Sequence, residues 1–384
     1  MNTDKKPIRV LQVVCSMDRG GLETWIMYVM RRIDRQAFHF DFCVEVDTPC
    51  AYDQEIVDLG GTIKRCVRRR WQGLRQYPKR LAAIIREGNY DVVHVHRRDF
   101  AGISLWVAAK SGIPHRFAHM HSIGDGCRST LPRVMYRSLM RGLVNRYATR
   151  GLGCSSGALE SFFGSEWKND PRMDVVFYGV DCSLFEGPPD GEGVRAELNL
   201  PGDAPLMIHV GRFIDAKNHG FLVDIFRSAR EQRGDLQLVL VGEGPLRAEV
   251  SQQVQDYGLA DCVHFLGLRS DVPRLLKAAD VMVMPSTREG MPVTMLEATA
   301  AGLPIVVSDL PGTQEANDVC CRATILPVER PAGEWASAVI AALSAPRPEQ
   351  AEALERVRQS PFSSEYSAQR MAEIYRTAVY GEVG

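Results

Sequence analysis

Two glutamates, Glu289 and Glu297, flank a tight turn in the C-terminal half of the chain. The turn, residues 290–293, follows the apolar stretch Val281–Met284 and opens a predicted helix. Backbone amides at a helix start bind anions, so a phosphate group held in this turn would have a carboxylate on either side. The alternative is an acid that caps the helix and a second acid on its solvent-exposed face.

Two cations follow another predicted strand, Leu206–Val210. Arg212 and Lys217 lie five positions apart in the loop that leads into the next helix. When a bond to a phosphate group breaks, negative charge builds on the departing group, and fixed cations stabilise that charge more than they stabilise the bound reactant. The pair can replace a divalent metal. The chain has no Asp-x-Asp motif for a metal, and no metal or other cofactor is expected. The alternative is a pair of solvated surface charges.

Glycines mark two further turns between a strand and a helix. Gly20 and Gly21 follow the first predicted strand, where backbone without side chains can approach a ligand closely. Gly242 belongs to a Gly-Glu-Gly-Pro segment that could be taken for a dinucleotide-binding fingerprint, but that pattern needs a third glycine where Arg247 stands. We interpret it as a tight turn near a nucleotide rather than as an NAD site.

One histidine is a further candidate. His121 follows a strand-like run at residues 116–119, and His119 is the alternative. Histidines that occur singly in such positions are more often structural than catalytic. We expect the side chains of His119 and His121 to point to opposite faces.

The elements that must position these residues form two series of alternating strands and helices. The first series begins with the strand Ile8–Val14 and ends near residue 154, and the second begins with Leu206–Val210 and ends near residue 307. Alternation of this kind favours parallel sheets with helices on both faces, and ligands bind at the carboxyl ends of such strands. A chain of 384 residues is long enough for two domains. The Pro- and Gly-rich segment at residues 186–193 is the best candidate for a linker.

Charge is distributed unevenly along the chain. Residues 1–180 carry 28 Lys and Arg against 18 Asp and Glu, whereas residues 181–384 carry 18 against 29. Basic residues cluster at 64–80 and recur at helical spacing as Arg133, Arg137 and Arg141, opposite an apolar stripe that includes Met135 and Leu139. The pattern indicates either contact with an anionic membrane surface or an ordinary solvated face. No nucleic-acid motif accompanies the charge, so nucleic acid is not expected as a partner.

At this point the chain resembles a known family. The spacing from Glu289 to Glu297 is similar to the Glu-x7-Glu signature of the group 1 (family 4) retaining glycosyltransferases. Further similar segments are Gly20-Gly21-Leu22-Glu23, residues 91–96, Val180-Asp181 with Phe185, Gly211-Arg212-Phe213 with Lys217-Asn218, residues 241–245, and Phe265-Leu266-Gly267. The branch that builds capsular polysaccharides and exopolysaccharides is the most similar, judged by residues 118–122 and 211–225. Tyr178 departs from the pattern, since the family usually has Asn there.

The resemblance implies the α/β fold called GT-B, with two Rossmann-like doubly wound domains facing a central cleft. The domains would span residues 1–183 on the acceptor side and 184–362 on the nucleotide-sugar side, with residues 363–384 a helix that crosses back to the first domain.

The resemblance also assigns roles to individual residues. Glu297 would hold the ribose hydroxyls, Glu289 would hold hydroxyls of the transferred sugar without acting as a nucleophile, and His121 would reach the donor sugar. Arg212 and Lys217 would face the diphosphate. The other residues expected around the donor are Gly20, Gly21, Gly242, Leu268, Gly290, Met291, Pro292 and Val293.

The resemblance thus predicts a metal-independent, retaining hexosyltransferase of surface polysaccharide biosynthesis. It would move a sugar from a nucleotide-sugar, with a UDP-sugar favoured and a GDP-sugar second, to a glycan or a lipid-linked acceptor. The alternatives are a nucleotide-sugar 2-epimerase on the same fold and a non-catalytic scaffold. Ten cysteines without a CxxC pair favour the reducing cytoplasm, where the basic clusters could also place the protein on the inner face of the cell membrane.

Overall fold

Short runs of aliphatic residues form parallel strands in two separate sheets, and amphipathic helices connect them. The computed structural model describes residues 6–67, 70–124 and 130–381. The chain divides into two units: unit 1 comprises Met1–Gly179 and Ser364–Gly384, and unit 2 comprises Val180–Ser363. The prediction of two doubly wound α/β sheets is confirmed.

The sheet of unit 1 has the strand order β3-β2-β1-β4-β5-β6-β7, and every pair of neighbours is parallel. Its strands are β1 (Ile8–Val14), β2 (Phe38–Val44), β3 (Ile63–Arg65), β4 (Val92–Val95), β5 (His115–Met120), β6 (Arg150–Gly153) and β7 (Met173–Val175). The helices between them are α1 (Gly21–Arg32), α2 (Asp53–Asp58), α3 (Arg70–Gly88), α4 (Ala101–Lys110), α5 (Leu131–Tyr147) and α6 (Ser156–Phe163).

The sheet of unit 2 has the order β10-β9-β8-β11-β12-β13, again with parallel neighbours. Its strands are β8 (Leu206–Val210), β9 (Gln237–Val241), β10 (Val263–Gly267), β11 (Val281–Met284), β12 (Ile305–Ser308) and β13 (Thr324–Leu326). Its helices are α7 (Gly191–Glu197), α8 (His219–Gln232), α9 (Arg247–Asp256), α10 (Val272–Ala278), α11 (Val293–Ala300), α12 (Pro311–Val319), α13 (Ala332–Ser344) and α14 (Gln350–Arg358).

The central strands are buried on both faces because helices cover both sides of each sheet. In β9 and β11 every residue is buried. The core of unit 2 joins these strands to the apolar faces of α8 and α13, with Phe226 and Trp335 fully buried. This packing fixes the strand ends, and therefore the loops that carry the candidate residues.

The segment at residues 186–193, predicted as a linker, lies inside unit 2. Lys277 donates from Nζ to the carbonyl oxygens of Glu186 and Gly187 at 3.0 and 3.1 Å, and Asp190 caps α7 and pairs with Arg274 at 2.7 Å. The Pro and Gly content therefore marks a tethered surface loop. The chain passes from one unit to the other at residues 179–180 and again at 363–364.

The last helix, α15 (Ser364–Tyr380), belongs to unit 1 and packs on α1. Trp25 donates from its indole nitrogen to the Ser367 hydroxyl at 2.6 Å, and Arg32 pairs with Glu365 at 2.7 Å. The phenol of Tyr375 is buried beneath the helix. Among the described residues, none of the helices combines the length and the apolar character that crossing a bilayer requires.

Candidate active site

The candidate residues of unit 2 lie at the carboxyl-terminal ends of its strands. Strand β8 lies at the centre, with β9 on one side and β11 on the other, so the strand order reverses between β8 and β11. Loops that leave neighbouring parallel strands in opposite directions open a crevice at this point, where ligands of doubly wound sheets bind. Lys217 follows β8 and Glu289 follows β11.

Lys217 and Glu289 form an ion pair across this crevice. The Nζ–Oε1 distance is 2.6 Å, and the two side chains are only 17% and 11% exposed. The loops that carry them are fixed to each other, because the Thr287 amide donates to the Ala216 carbonyl at 2.9 Å and the Asn218 side chain donates to the Pro285 carbonyl at 3.2 Å. The sequence predicted both residues separately, and the structure brings them into contact.

Arg212 lies in the same loop as Lys217 but points to solvent. Its side chain is exposed, and it has no ion pair within the described parts of the chain. A cation in this condition carries an uncompensated charge that an anionic ligand can use.

Close backbone contacts fix the loops after β8 and β9. A side chain at Gly242, which has φ 139°, would begin 2.1 Å from the Gly211 carbonyl oxygen, and one at Gly244 would begin 2.5 Å from the Phe213 oxygen. Only glycine fits Gly242, both for its φ and for this approach. The segment is therefore a tight turn against the Arg212 loop, as predicted.

The turn between the two glutamates leaves two amides unused. Pro292 has no amide hydrogen, and the Val293 amide donates to the Met291 carbonyl at 3.0 Å. The amides of Gly290 and Met291 have no backbone acceptor among the described residues. Of the four predicted positions, these two therefore offer hydrogen-bond donors to an anion.

Glu297 lies in α11, one turn after this segment. It is half-buried, and among the described residues its carboxylate has no hydrogen-bond or ion-pair partner. Burial raises the pKa of this carboxyl from 4.5 to about 7. A half-buried carboxylate without a partner is costly to the protein, and an ionisable group in this condition is a candidate ligand contact. Leu268, which follows β10, is 68% exposed at the same edge of the sheet.

The remaining predicted residues lie in unit 1. Gly20 caps α1 and Gly21 opens it, directly after β1, and a side chain at Gly20 would collide with the Glu23 carboxylate at 2.4 Å. His121 follows β5, and its Nδ1 lies at hydrogen-bond distance, 2.7 Å, from the Tyr178 hydroxyl oxygen.

The prediction that His119 and His121 point to opposite faces is wrong. Their ring centroids lie 4.1 Å apart, because residues two positions apart share a face and the extended backbone continues past the end of β5. Tyr178 was not predicted as a site residue. Its departure from the family pattern was the only available signal.

The comparisons with known proteins agree with this geometry. The family profile described as Glycosyltransferase Family 4 matches residues 19–184, and the one described as Glycosyl transferases group 1 matches residues 191–359. EpsF of Bacillus subtilis (strain 168), which is named as a glycosyltransferase, is 31% identical over 98% of this chain and 97% of its own length.

A second relative is named UDP-Gal:alpha-D-GlcNAc-diphosphoundecaprenol alpha-1,3-galactosyltransferase, from Escherichia coli. It is 29% identical over 60% of this chain and 61% of its own length. Among solved structures, Anabaena Alr3699/HepE in complex with UDP-glucose superposes with a TM-score of 0.76 and 20% identity, over 96% of this chain and 100% of that chain. The predicted resemblance and fold are thus confirmed: the chain belongs to the group 1 (family 4) glycosyltransferases and has the GT-B fold.

Proposed function

We propose that this glycosyltransferase transfers a hexose from a UDP-sugar, with retention of the anomeric configuration, in the synthesis of a surface polysaccharide. The Lys217–Glu289 pair at the point where the strand order reverses carries the proposal. A cation and an anion held 2.6 Å apart in a crevice suit a ligand that has a diphosphate next to a polyol.

The donor would lie along the carboxyl ends of the strands in unit 2. Its ribose hydroxyls would donate to Glu297, its diphosphate would meet Arg212, Lys217 and the amides of Gly290 and Met291, and its sugar hydroxyls would donate to Glu289. His121 would contact the transferred sugar.

Retention would follow from attack on the same face that the diphosphate leaves, through an oxocarbenium-like state in which the leaving phosphate takes the acceptor's proton. Glu289 is already paired with Lys217 and serves the sugar hydroxyls, so no carboxylate nucleophile is assigned. Lys217 and Arg212 would neutralise the departing diphosphate without a metal ion.

Binding and turnover test the donor proposal together. UDP and UDP-hexoses are expected to raise the Tm of the purified protein, and GDP compounds to raise it less or not at all. Transfer should continue in excess EDTA, and the new linkage should keep the donor's anomeric configuration by NMR. Stabilisation by none of these nucleotides, inversion of configuration, or epimerisation of the donor without an acceptor would contradict the proposal.

The acceptor proposal starts from helix α5. Its outward face is apolar: Leu131, Met135 and Leu139 are 74%, 65% and 61% exposed. Two of the three arginines turn toward the protein instead, since Arg137 reaches Asp99 and Arg141 donates to the Ser161 carbonyl and packs on the Phe162 ring. The expected basic helix is therefore an apolar helix face flanked by cations. Of the first basic cluster, Arg68 and Arg69 lie outside the described residues.

We propose that this face inserts into the anionic cytoplasmic leaflet and meets a lipid-linked acceptor. The charge of +10 over residues 1–180 suits that surface, and the Escherichia coli relative is named for a diphosphoundecaprenol acceptor.

Liposome flotation tests this interaction. The protein is expected to float with vesicles rich in phosphatidylglycerol at low salt and less at high salt, because part of the attraction is electrostatic. The double variant Met135→Ser/Leu139→Ser should bind about tenfold less, since it removes apolar area from the inserting face. The matched control Leu184→Ser/Val319→Ser changes exposed apolar residues of unit 2 and should float like wild type. Equal loss in both variants, or no flotation at low salt, would contradict the proposal.

A further inference from the structure

An ordered chain of hydrogen bonds runs through the core of unit 1 and ends at His121. Six bonds link seven side chains, which are, in order, Tyr178, His121, His96, Gln12, Tyr375, His94 and His119. Strands β1, β4 and β5, helix α15 and the segment that ends unit 1 all contribute to it.

The direction of every hydrogen bond follows from Gln12. Its amide oxygen can only accept, so His96 donates from Nε2 at 2.7 Å, and its amide nitrogen donates to the Tyr375 hydroxyl at 3.1 Å. A neutral imidazole with its proton on Nε2 must accept at Nδ1. His96 therefore accepts from His121 Nε2 at 2.8 Å.

The same reasoning fixes both ends of the chain. His121 has its proton on Nε2, so its Nδ1 accepts from the Tyr178 hydroxyl at 2.7 Å. On the other side, Tyr375 donates to His94 Nδ1 at 2.7 Å, and His94 donates from Nε2 to His119 Nδ1 at 3.2 Å. The chain ends at His119 Nε2, which has no partner among the described residues.

The surroundings keep these imidazole rings neutral, as the directions of the hydrogen bonds require. Burial lowers the pKa of His121 well below the usual 6.5, and it lowers the pKa of His96 to about 3. Burial also raises the pKa of the Tyr178 hydroxyl well above 10, so that group remains a donor. Each imidazole then has one N–H and one lone pair.

A metal site is the competing interpretation of the same cluster. One ring nitrogen from each of His94, His96 and His119 lies within 4.8 Å of the others. A metal ion binds the unprotonated nitrogen of an imidazole. In the hydrogen-bond chain the unprotonated nitrogen of each ring is Nδ1, and the Nδ1 atoms of His94, His96 and His119 already accept hydrogen bonds from Tyr375, His121 and His94 respectively. The hydrogen-bonded interpretation therefore accounts for every lone pair in the cluster.

We propose that Tyr178 is a positioning residue for sugar transfer: its hydroxyl holds the ring plane of His121, whose tautomer is set by the hydrogen bonds that start at Gln12. The inference rests on the proposed role of His121 toward the transferred sugar. Trp25 lies 5.4 Å from the Tyr178 ring, and His121 stacks on that ring at 5.7 Å. Removing the hydroxyl alone should therefore leave the packing in place.

The test uses Tyr178→Phe with a matched control, Tyr77→Phe. Tyr77 is also buried in unit 1. Its hydroxyl forms a hydrogen bond with Ser104 at 2.9 Å, and neither residue belongs to the hydrogen-bond chain of His121. The control removes a buried phenol hydroxyl without touching His121. Tyr178→Phe is expected to lower kcat about 10- to 100-fold, because a small misplacement of a reacting group is costly, with little change in KM for the nucleotide-sugar. Tyr77→Phe should retain the wild-type kcat.

Two further measurements separate this inference from the proposed function. Long-range ¹H–¹⁵N spectra of ¹⁵N-histidine protein report each tautomer without any turnover, and His121→Asn identifies the signal. Wild type and Tyr178→Phe should both show His121 with its proton on Nε2, and Gln12→Leu, which removes the group that sets the tautomer, should show a mixture. In the His121→Asn background, Tyr178→Phe should have no further effect on kcat, since it acts through that ring.

The outcomes are distinct. An unchanged His121 tautomer in Gln12→Leu, an equal loss of kcat in Tyr77→Phe, or additive losses in the double variant would overturn the positioning role. Stoichiometric Zn²⁺ binding that His94→Ala abolishes would also overturn it, in favour of the metal site. Absence of transferase activity, together with a fixed His121 tautomer that Gln12→Leu releases, would reject the proposed function and leave the hydrogen-bond chain supported.

Discussion

Replacing Lys217 by methionine is expected to lower kcat for sugar transfer by about 10²- to 10³-fold, the range found when one group that stabilises a developing charge is removed. Methionine keeps most of the apolar stem and removes the cation that would face the departing diphosphate. Because this charge develops mainly in the transition state, KM for the donor should change much less than kcat.

The ion pair with Glu289 complicates a single variant, because Lys217→Met leaves that carboxylate half-buried without its partner. An unpaired group of this kind costs about 1–3 kcal/mol of stability. The double variant Lys217→Met/Glu289→Gln removes the stranded charge. It should recover most of the lost Tm and none of the lost transfer rate.

Arg233→Met is the matched control for this experiment. Arg233 also forms an ion pair in unit 2, with Asp235 at 3.0 Å, but both side chains are about half exposed, at 46% and 53%. Exposed pairs contribute little to stability, so this variant should match wild type in Tm and rate. If the double variant recovers activity together with Tm, Lys217 is structural rather than chemical.

Burial decides how much of the fold could be predicted from the sequence. The runs of β1, β8 and β11 match their predicted bounds, because strands covered on both faces consist mostly of apolar residues. The three-residue strands β3, β7 and β13 were not predicted. Each lies at or near a sheet edge, is only partly buried, and is too short for its pattern to be recognised.

Of the candidate site, too, one part could be predicted from the sequence and another could not. Lys217, Glu289 and Glu297 occupy loops or helix starts after strands, so their positions along the chain indicated a common sheet edge. The hydrogen-bond chain behind His121 could not be found in this way, because it depends on sheet register. Gln12 lies opposite His94 in the pairing of β1 with β4, and this register brings its side chain within reach of His96.

Helix α5 shows a limit of periodicity. The spacing separated the arginines from the apolar stripe, but it could not tell which side faces the protein. Arg137 and Arg141 have partners at Asp99 and Ser161, and those partners belong to other elements. The outward apolar face is therefore a tertiary result.

Glu297→Gln is expected to make the protein more stable and its nucleotide binding weaker. The carboxyl has a pKa of about 7 in the folded protein against 4.5 ordinarily. Between these values the folded state binds more protons than the unfolded state, so the free energy of unfolding falls as the pH rises through this window. The penalty is complete above pH 7 and is at most about 3.5 kcal/mol, at about 1.4 kcal/mol for each pKa unit.

Glutamine does not ionise, so the variant should gain stability over wild type as the pH rises from 5 to 8. Denaturant unfolding at several pH values measures this difference. The exposed control Glu249→Gln, on helix α9, should show no such gain. If the difference in the free energy of unfolding between Glu297→Gln and wild type stays constant from pH 5 to 8, burial does not destabilise the ionised carboxyl.

Binding should change in the opposite direction. A charged acceptor contributes about 1.5–3 kcal/mol to a hydrogen bond, so Glu297→Gln is expected to bind UDP about 10- to 150-fold more weakly at pH 8. At pH 5.5 most of the wild-type carboxyl is protonated, and the two proteins should bind more equally. Titration calorimetry at both pH values measures this difference. If wild type and Glu297→Gln bind UDP with equal affinity at pH 8, the ribose does not bind Glu297. Ligand binding would then not account for the unfavourable burial of this carboxyl.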